Sequence, residues 1–262
     1  MGRLTGKTVL VAGGGFIGNG LACRYAEEGA SVVIGDLRLS AARSIADGIV
    51  DRRGKALAVE LDGTDEDSIR DALEAACAAF GGLDGLHVNF ASFADSAADQ
   101  GVTDLAMEAY DEAMHVNARG YVLCTRHALP ELIRRGGGSI VYTSSAAAYL
   151  SEPTRFAYAM SKAAVNALMR HVAVRYAQQG VRANCIAPGI VMNMRGPDDI
   201  DHPTLGKMPP EFLDWAFACQ LNKTRVANPG DIAAAGALLM SDEGSFITGQ
   251  VLNVDGGATL RP

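Results

Sequence analysis

The chain has 262 residues, of which 48% are hydrophobic and 20% charged, and this composition predicts a compact folded domain and argues against disorder. Its formal net charge of −7 disfavours nucleic acid as a partner, because phosphate contacts need clustered Lys and Arg. No apolar run approaches the ~18 residues of a membrane helix, and the five scattered cysteines have no metal-binding spacing, so we expect neither a membrane partner nor a metal site.

Short apolar runs alternate with longer segments of helical periodicity along the chain. The predicted strands are 8–12, 31–34, 56–59, 83–89, 139–143 and 181–186. The predicted helices are 17–28, 39–53, 65–80, 104–134 and 156–179. This alternation predicts an α/β fold with a parallel sheet covered on both faces, built as a single domain over residues 1–262.

A glycine loop follows the first predicted strand. Gly13, Gly15 and Gly18 form the pattern G-x-G-x-x-G where the strand meets a helix that begins near Phe16 and Ile17. Glycine lets a backbone approach a pyrophosphate closely, and the free N–H groups of a helix start attract that anion. The loop therefore predicts a dinucleotide-binding site.

Two acidic residues at strand ends bear on the cofactor. Asp36 lies 18 residues after Gly18, where a carboxylate would accept hydrogen bonds from the adenosine ribose hydroxyls and repel a 2′-phosphate. This predicts NAD rather than NADP, although Arg38 could reverse the preference by pairing with the phosphate. Asp62 follows the third strand and could either meet the adenine edge or serve as a turn aspartate.

A tyrosine and a lysine are spaced for one helical face. Tyr158 precedes Lys162 by four residues, so a cation could sit beside the phenol and favour its ionised form. Ser145, 13 residues upstream, ends a predicted buried strand and could orient a substrate oxygen. Because tyrosine and lysine also pair by chance on solvated surfaces, this pattern alone does not establish a catalytic site.

The segment 192–223 interrupts the strand and helix rhythm. It opens with polar, turn-rich residues and then offers an apolar helical stretch at 209–218. Long insertions in compact domains are often lids or binding loops. A surface excursion with its own small helix is the alternative reading.

Taken together, these features resemble the short-chain dehydrogenase/reductase family, in its compact branch. The residues that carry the resemblance are the glycine loop, Asp36, Asn89, Asn117, Ser145, Tyr158, Lys162 and Pro188-Gly189, with final segments at 225–232 and 247–257. The resemblance implies a Rossmann-like, doubly wound sheet. It also implies hydride transfer between nicotinamide and a carbonyl or alcohol carbon.

The resemblance assigns each catalytic position a role. Tyr158 would exchange a proton with the reacting oxygen, and Ser145 would hydrogen-bond that oxygen. Lys162 would lower the Tyr158 pKa and hold the nicotinamide ribose. Asn117 would support a water chain from the lysine to solvent.

Further positions would form the cofactor wall. Pro188, Gly189 and Val191 would pass beside the nicotinamide carboxamide, and Asn89 and Ala91 match the family's asparagine–alanine positions after the fourth strand. The chain departs from the family pattern where its glycine loop is one residue shorter and where Phe90 and Ser92 replace usual residues.

Sequence distance from the catalytic positions suggests which residues surround the substrate. The candidates, besides Ser145, are Phe93, Ala146, Tyr149, Met192 and some of Phe212, Trp215 and Phe217. This mainly apolar set predicts a hydrophobic secondary alcohol or ketone as substrate, with cyclic and aromatic compounds as the candidates. The aromatic residues of 212–217 could equally pack within a helix or a subunit contact.

Two other functions remain open. A 3-oxoacyl-thioester reductase shares this scaffold, although such enzymes usually favour NADP and need basic surface residues for a carrier. A non-catalytic NAD-binding sensor is disfavoured by the complete catalytic set. The resemblance implies a homo-oligomer, a tetramer or dimer, and the absence of an apolar signal region before the first strand predicts a cytoplasmic location.

Overall fold

The computed structural model describes residues 2–93, 99, 101–150, 152–194, 200–201 and 210–260. Within this part, seven strands form one parallel sheet. They are β1 (Thr8–Ala12), β2 (Ser31–Asp36), β3 (Lys55–Glu60), β4 (Gly85–Val88), β5 (Gly138–Thr143), β6 (Val181–Pro188) and β9 (Val251–Val254). A separate antiparallel pair joins β7 (Asn193–Met194) to β8 (Ile200–Asp201). The six strands predicted from periodicity are all present, with ends that differ by at most two residues.

The order of strands across the sheet indicates where a ligand can bind. It is β3-β2-β1-β4-β5-β6-β9, with every neighbouring pair parallel. Successive connections run outward in one direction from β1 to β3 and in the other from β4 onward. The carboxyl ends of β1 and β4 therefore border a topological switch point, where doubly wound sheets bind their ligands.

Helices cover both faces of this sheet. They are α1 (Phe16–Glu27), α2 (Leu39–Asp51), α3 (Glu66–Phe80), α4 (Met107–Met114), α5 (Gly120–Arg134), α6 (Phe156–Arg175), α7 (Pro210–Cys219) and α8 (Pro229–Met240). The long helix predicted over 104–134 is instead α4 and α5 joined by a π-helical turn at His115–Arg119. The π turn changes the side-chain phase between the two helices, which periodicity alone does not reveal.

Two hydrophobic cores follow from the pleat of the strands. Leu10 of β1 packs into a core with α3, α5 and α6, whereas Val9 and Val11 pack into the opposite core with α1, α2 and α8. Successive strand residues point to opposite faces, so a sheet buried on both sides needs the continuous apolar runs seen here.

The segment predicted as a lid is partly described. Residues 195–199 and 202–209 lie outside the described residues, and the remainder includes α7, which supplies Trp215 to the central cleft. No helix in the described ranges is both long enough and apolar enough to cross a membrane.

A buried histidine links α1 to the glycine loop through the sheet. The Tyr25 hydroxyl lies 2.6 Å from His87 Nδ1, and His87 Nε2 lies 3.0 Å from Thr143 Oγ1. Thr143 donates to Asn89 Oδ1 at 2.9 Å, and Asn89 Nδ2 donates to the Gly13 carbonyl at 3.0 Å. If His87 is neutral with its proton on Nε2, each group in this series donates a hydrogen bond to the next, from the Tyr25 hydroxyl to the Gly13 carbonyl. The chain of hydrogen bonds thus fixes the tautomer and anchors the loop.

The same histidine predicts a loss of stability in acid. Burial lowers the pKa of His87 to about 3, against about 6.5 for an exposed histidine. The unfolded chain therefore binds a proton that the folded chain excludes, and stability that is complete above about pH 6.5 falls as the pH drops toward 3. His87 should make the free energy of unfolding about 2 kcal/mol lower at pH 5 than at pH 7.5. We expect His87→Gln to remove this contribution, as measured by urea unfolding at the two pH values. The exposed His171→Gln is the control, and an unchanged pH dependence in His87→Gln would contradict the assignment.

Candidate active site

The glycine loop leaves space for an anion at the start of α1. Gly13 has φ +106°, and a Cβ there would lie 2.4 Å from the Phe90 backbone nitrogen. A Cβ on Gly18 would lie 1.9 Å from the Gly13 carbonyl oxygen, so both glycines are required by the protein's own packing. Gly15 differs because no heavy atom lies within 4 Å of its Cβ position, and it borders the cleft.

Electrostatics at this helix start also fit a pyrophosphate. Gly15 caps α1 without any side-chain hydrogen bond, and the first turn carries no acidic residue. The first N–H groups of the helix and the positive end of its dipole therefore lie at the border of the cleft. The residues present fit the diphosphate of a dinucleotide.

Gly15→Ala separates binding from folding at this loop. A methyl group there would fill cleft space without meeting protein atoms, so we expect NADH affinity to fall roughly 10-fold or more through loss of a close backbone contact. Stability should change by less than about 1 kcal/mol. Isothermal titration and thermal unfolding check both, with Gly48→Ala on α2 as control, and unchanged NADH affinity would contradict the pyrophosphate site.

Asp36 stands at the end of β2, on the wall of the cleft. Its Oδ2 accepts a hydrogen bond from the Gly14 N–H at 3.0 Å, and its Oδ1 accepts one from the Arg38 N–H at 2.9 Å. Arg38 borders the same cleft. The carboxylate is thus held beside the loop, and the arginine that could receive a 2′-phosphate is close in sequence and in space.

Asp99 fixes the start of the helix that carries Tyr158. The Asp99 side chain is completely buried and accepts hydrogen bonds from the N–H groups of Ala157 at 2.8 Å and Tyr158 at 3.1 Å. Its carbonyl accepts the Arg155 N–H at 2.7 Å. Arg155 takes the left-handed conformation, with φ +64°, directly before α6. These contacts set where the Tyr158 phenol enters the cleft.

The phenol of Tyr158 is buried among charged groups. Burial raises its pKa, while Arg155 and a hydrogen bond with Ser145 act in the lowering direction and Glu152 raises it further. The Arg155 guanidinium carbon lies 5.1 Å from the centre of the Tyr158 ring, and Lys162 Nζ lies 5.7 Å from it. Of these two cations, the arginine lies closer to the ring.

Lys162 lies beneath the site with two oxygen partners. Its Nζ donates to the Tyr121 hydroxyl at 3.1 Å and to the Thr143 carbonyl at 2.9 Å. Burial lowers the Lys162 pKa to about 7. With this pKa, Lys162 gains or loses its proton near neutral pH. That Lys162 lowers the pKa of Tyr158 stays a prediction.

Asn117 occupies the π-helical turn that packs against the helix of Tyr158. Its side chain exchanges hydrogen bonds with both backbone groups of Ser92, at 2.8 Å each, and donates to Ser161 Oγ at 3.2 Å. Ser161 in turn donates to the Tyr158 carbonyl at 2.7 Å. Asn117 therefore ties the loop after β4 to α6.

Most of the predicted site residues converge on one cleft at the switch point. Those that line it are Gly13, Gly15, Phe16, Ile17, Asp36, Asn89, Ala91, Phe93, Ser145, Ala146, Tyr158, Lys162, Pro188, Gly189, Val191 and Trp215. The Phe93 ring stacks on the Tyr158 ring with centroids 5.1 Å apart. Cofactor and substrate positions predicted separately thus form one continuous surface.

Several predicted binding residues do not line this cleft. Asp62 accepts hydrogen bonds from the backbone and hydroxyl of Thr64, which is the turn role left open by the sequence. Tyr149 accepts a hydrogen bond from the buried Asn166 of α6 at 2.9 Å, and Met192 is buried beside α1 in a neighbouring pocket. The Phe212 side chain lies outside the described residues, and Phe217 does not border the cleft.

Sequence reasoning missed Asp99 and the pair Glu152 and Arg155. An aspartate 59 residues before Tyr158 gives no signal in the chain. The Glu-x-x-Arg spacing just before the tyrosine is visible in the sequence, but this spacing is common on solvated helices.

Comparison with known proteins agrees with this geometry. A family model described as enoyl-(acyl carrier protein) reductase matches residues 11–259. The chain is 35% identical over 256 residues to 2,5-dichloro-2,5-cyclohexadiene-1,4-diol dehydrogenase of Sphingobium indicum, covering 97% of each chain. It is 36% identical over 261 residues to cis-4-hydroxycyclohexanecarboxylate dehydrogenase of Sinomonas cyclohexanicum, covering 99% of each.

A solved dehydrogenase structure also matches this chain. The protein superposes on 7α-hydroxysteroid dehydrogenase complexed with NADH and 7-oxo glycochenodeoxycholic acid with a TM-score of 0.87 and 30% identity, covering 97% of this chain and 95% of that one. The chain belongs to the short-chain dehydrogenase/reductase family. It is accordingly an oxidoreductase with the family's Rossmann-like fold, as the sequence predicted.

Proposed function

We propose that this short-chain dehydrogenase/reductase transfers hydride between NAD and a secondary alcohol or ketone on a mainly hydrophobic, cyclic substrate. The observation that carries the proposal is the convergence of Ser145, Tyr158 and Lys162 on the same cleft as the glycine loop. When bound, the nicotinamide supplies or accepts the hydride.

The protein's own residues handle the proton. Tyr158 donates its hydroxyl proton to the carbonyl oxygen in reduction and takes a proton from the alcohol in oxidation. Ser145 hydrogen-bonds the same oxygen and stabilises charge that develops there. Lys162, buried behind the tyrosine, holds positive charge below its pKa of about 7.

Hydrophobic walls support a cyclic substrate. Phe93 borders the cleft from the loop after β4 and stacks on the Tyr158 ring, and Trp215 borders the cleft from α7. The two relatives whose names are given above act on ring compounds, a cyclohexadienediol and a hydroxycyclohexanecarboxylate. We therefore place an alicyclic ring between the two aromatic side chains, with 192–223 acting as its lid.

NAD is the proposed cofactor because of Asp36. Its carboxylate lies at the end of β2 on the cleft wall, where a ribose 2′-hydroxyl can donate to it and a 2′-phosphate would be repelled. The structural relative described above holds NADH.

The second candidate is reduction of an acyl thioester. It is favoured by the description of the matching family model, which names an acyl-carrier-protein reductase. The net charge of −7 opposes docking of an acidic carrier. A catalytically silent NAD-binding sensor is a third reading that the intact site disfavours.

One assay separates these candidates. Purified protein is mixed with NAD or NADP and a panel of cyclic, aromatic and aliphatic secondary alcohols, and with NADH or NADPH and 3-oxoacyl thioesters, while reduced nicotinamide is followed by absorbance. NAD-dependent turnover of cyclic alcohols is the expected result. Activity confined to thioesters would support the second candidate, and tight NADH binding without any turnover would support the sensor.

A further inference from the structure

Lys162 is held by a side chain that lies outside the predicted set of site residues. Its Nζ donates to the backbone carbonyl of Thr143 at 2.9 Å and to the side-chain hydroxyl of Tyr121 at 3.1 Å. The lysine is only 1% exposed, yet it borders the cleft. Within the described ranges these two contacts use two of the three ammonium hydrogens, which leaves the third for a group in the cleft.

The Tyr121 hydroxyl joins three segments of the site. It lies 2.9 Å from the Phe90 carbonyl in the loop after β4, and 3.1 Å from the Thr143 carbonyl at the end of β5. Its single hydrogen is directed to these carbonyls, so its oxygen accepts the N–H of Lys162 from α6. Tyr121 is fully buried, and burial raises the pKa of its phenol, so the hydroxyl stays neutral. It therefore offers Lys162 an acceptor without adding a negative charge.

The Tyr121 ring also lies close to the ammonium. Lys162 Nζ is 4.8 Å from the centre of this ring, compared with 5.7 Å from the centre of the Tyr158 ring. The hydrogen bond and the cation–π contact with Tyr121 both favour the charged form of the lysine. They act against burial, which lowers the Lys162 pKa to about 7.

The titratable groups packed against Lys162 are Tyr121 from α5, Cys185 from β6 and Tyr158 from its own helix. Burial raises the pKa of Cys185 to about 12 and that of Tyr158 above its ordinary value, so both are neutral near pH 7. The two acceptors of Lys162 are also neutral oxygens. Of these two, the Tyr121 hydroxyl is the one that a side chain supplies, so a substitution can remove it.

We propose that Tyr121 is a positioning residue of this dehydrogenase, whose hydroxyl holds the ammonium of Lys162 beside Tyr158 and keeps it charged at neutral pH. This inference rests on the proposed function, because it assumes that Lys162 acts on the tyrosine that exchanges the proton. Tyr121 does not border the cleft, so it acts through Lys162 and not by contact with substrate or cofactor.

The charge of Lys162 can be measured directly by nuclear magnetic resonance. The chain has five lysines, so protein labelled with ¹³C at the lysine ε-carbon gives few signals, and Lys162→Met identifies that of Lys162 by its loss. The wild-type signal should titrate with a midpoint near pH 7. Tyr121→Phe keeps the ring and removes the hydroxyl. We expect it to lower the midpoint by about 1 pH unit, the effect of one lost hydrogen bond to a charged group.

Tyr142→Phe is the matched control. Tyr142 is also fully buried, its ring stacks on that of Tyr121 with centroids 6.1 Å apart, and its hydroxyl lies 2.8 Å from Thr125 Oγ1. The substitution thus removes a buried tyrosine hydroxyl whose hydrogen bond is with Thr125 and not with Lys162. The Lys162 midpoint should keep its wild-type value. An unchanged midpoint in Tyr121→Phe, or an equal shift in both variants, would overturn the proposal.

Kinetics show whether this charge serves the reaction. For NADH-dependent reduction of the ketone that corresponds to the best cyclic alcohol, kcat/KM of Tyr121→Phe should be about 10-fold below wild type at pH 8, because less Lys162 is protonated. At pH 5.5 the lysine is mostly protonated in both proteins, so the difference should nearly disappear. The same ratio at both pH values would indicate structural damage and contradict the proposal.

A measurement on the wild-type side chains does not depend on Tyr121→Phe folding. With ¹³C at the tyrosine ζ-carbon, the Tyr121 signal should change with the same midpoint as the Lys162 signal, and Lys162→Met should abolish this change. Tyr158→Phe separates the Tyr121 signal from that of Tyr158. If no tyrosine other than Tyr158 follows Lys162, the proposal is wrong while the dehydrogenase function stands. Absence of turnover with every cyclic alcohol and ketone would instead contradict the proposed function, and the two resonance measurements would still decide whether Tyr121 holds Lys162.

Discussion

Tyr158→Phe is expected to lower kcat for alcohol oxidation by about 10²- to 10⁴-fold, the usual contribution of a positioned general acid or base. The phenylalanine keeps the ring stacked on Phe93 and loses the hydroxyl that exchanges the proton. NADH affinity should stay nearly unchanged, because the glycine loop and Asp36 lie elsewhere on the cleft. Steady-state kinetics with the best cyclic alcohol and fluorescence titration of NADH measure the two quantities.

The control for this prediction is another tyrosine of the same helix region. Tyr176 lies just beyond the far end of α6, and Tyr176→Phe should keep wild-type turnover.

The pH dependence of oxidation gives a second test of the phenol. Since burial raises the pKa of Tyr158, the phenolate needed for oxidation becomes more abundant as the pH rises, so kcat/KM for oxidation should increase above neutrality. Wild-type activity in Tyr158→Phe would refute the role of the phenol.

Asp36→Ala is expected to reverse the cofactor preference. Loss of hydrogen bonds from the ribose to a charged acceptor should weaken NADH binding by about 10- to 100-fold. Removal of the negative charge should at the same time strengthen NADPH binding, because Arg38 borders the cleft and can pair with a 2′-phosphate. Dissociation constants of both reduced cofactors, measured at one salt concentration, give the change in their ratio.

Two further variants locate the cause of that reversal. Asp36→Ala/Arg38→Met should lose the gain in NADPH affinity, since no guanidinium then remains to receive the phosphate. Asp47→Ala removes an exposed carboxylate from α2 and should leave both affinities unchanged. A wild-type protein that already binds NADPH more tightly than NADH would contradict the assignment of Asp36.

The parts of the fold that the sequence revealed are those set by local repetition. The continuous apolar runs of β1, β2 and β5 reflect burial on both faces, and the glycine loop combines a tight turn with close packing of Gly18 against Gly13. The join between α4 and α5 was hidden, because a π-helical turn changes the phase of the side chains without interrupting the helical pattern.

The features of the candidate site also fall into those that the sequence predicts and those that need the structure. The sequence by itself identified the predicted site residues whose relation depends on spacing along one element. They are the loop before α1, Asp36 at the end of β2, and Tyr158 and Lys162 on α6. Only the tertiary structure decided that Asp99 caps α6, that Tyr149 and Met192 do not line the cleft, and that Glu152 and Arg155 form a buried pair in its wall. The physical reason is that spacing fixes which side chains can meet on one helix or strand, whereas burial, and with it charge and hydrogen-bonding demand, depends on contacts between segments far apart in the chain.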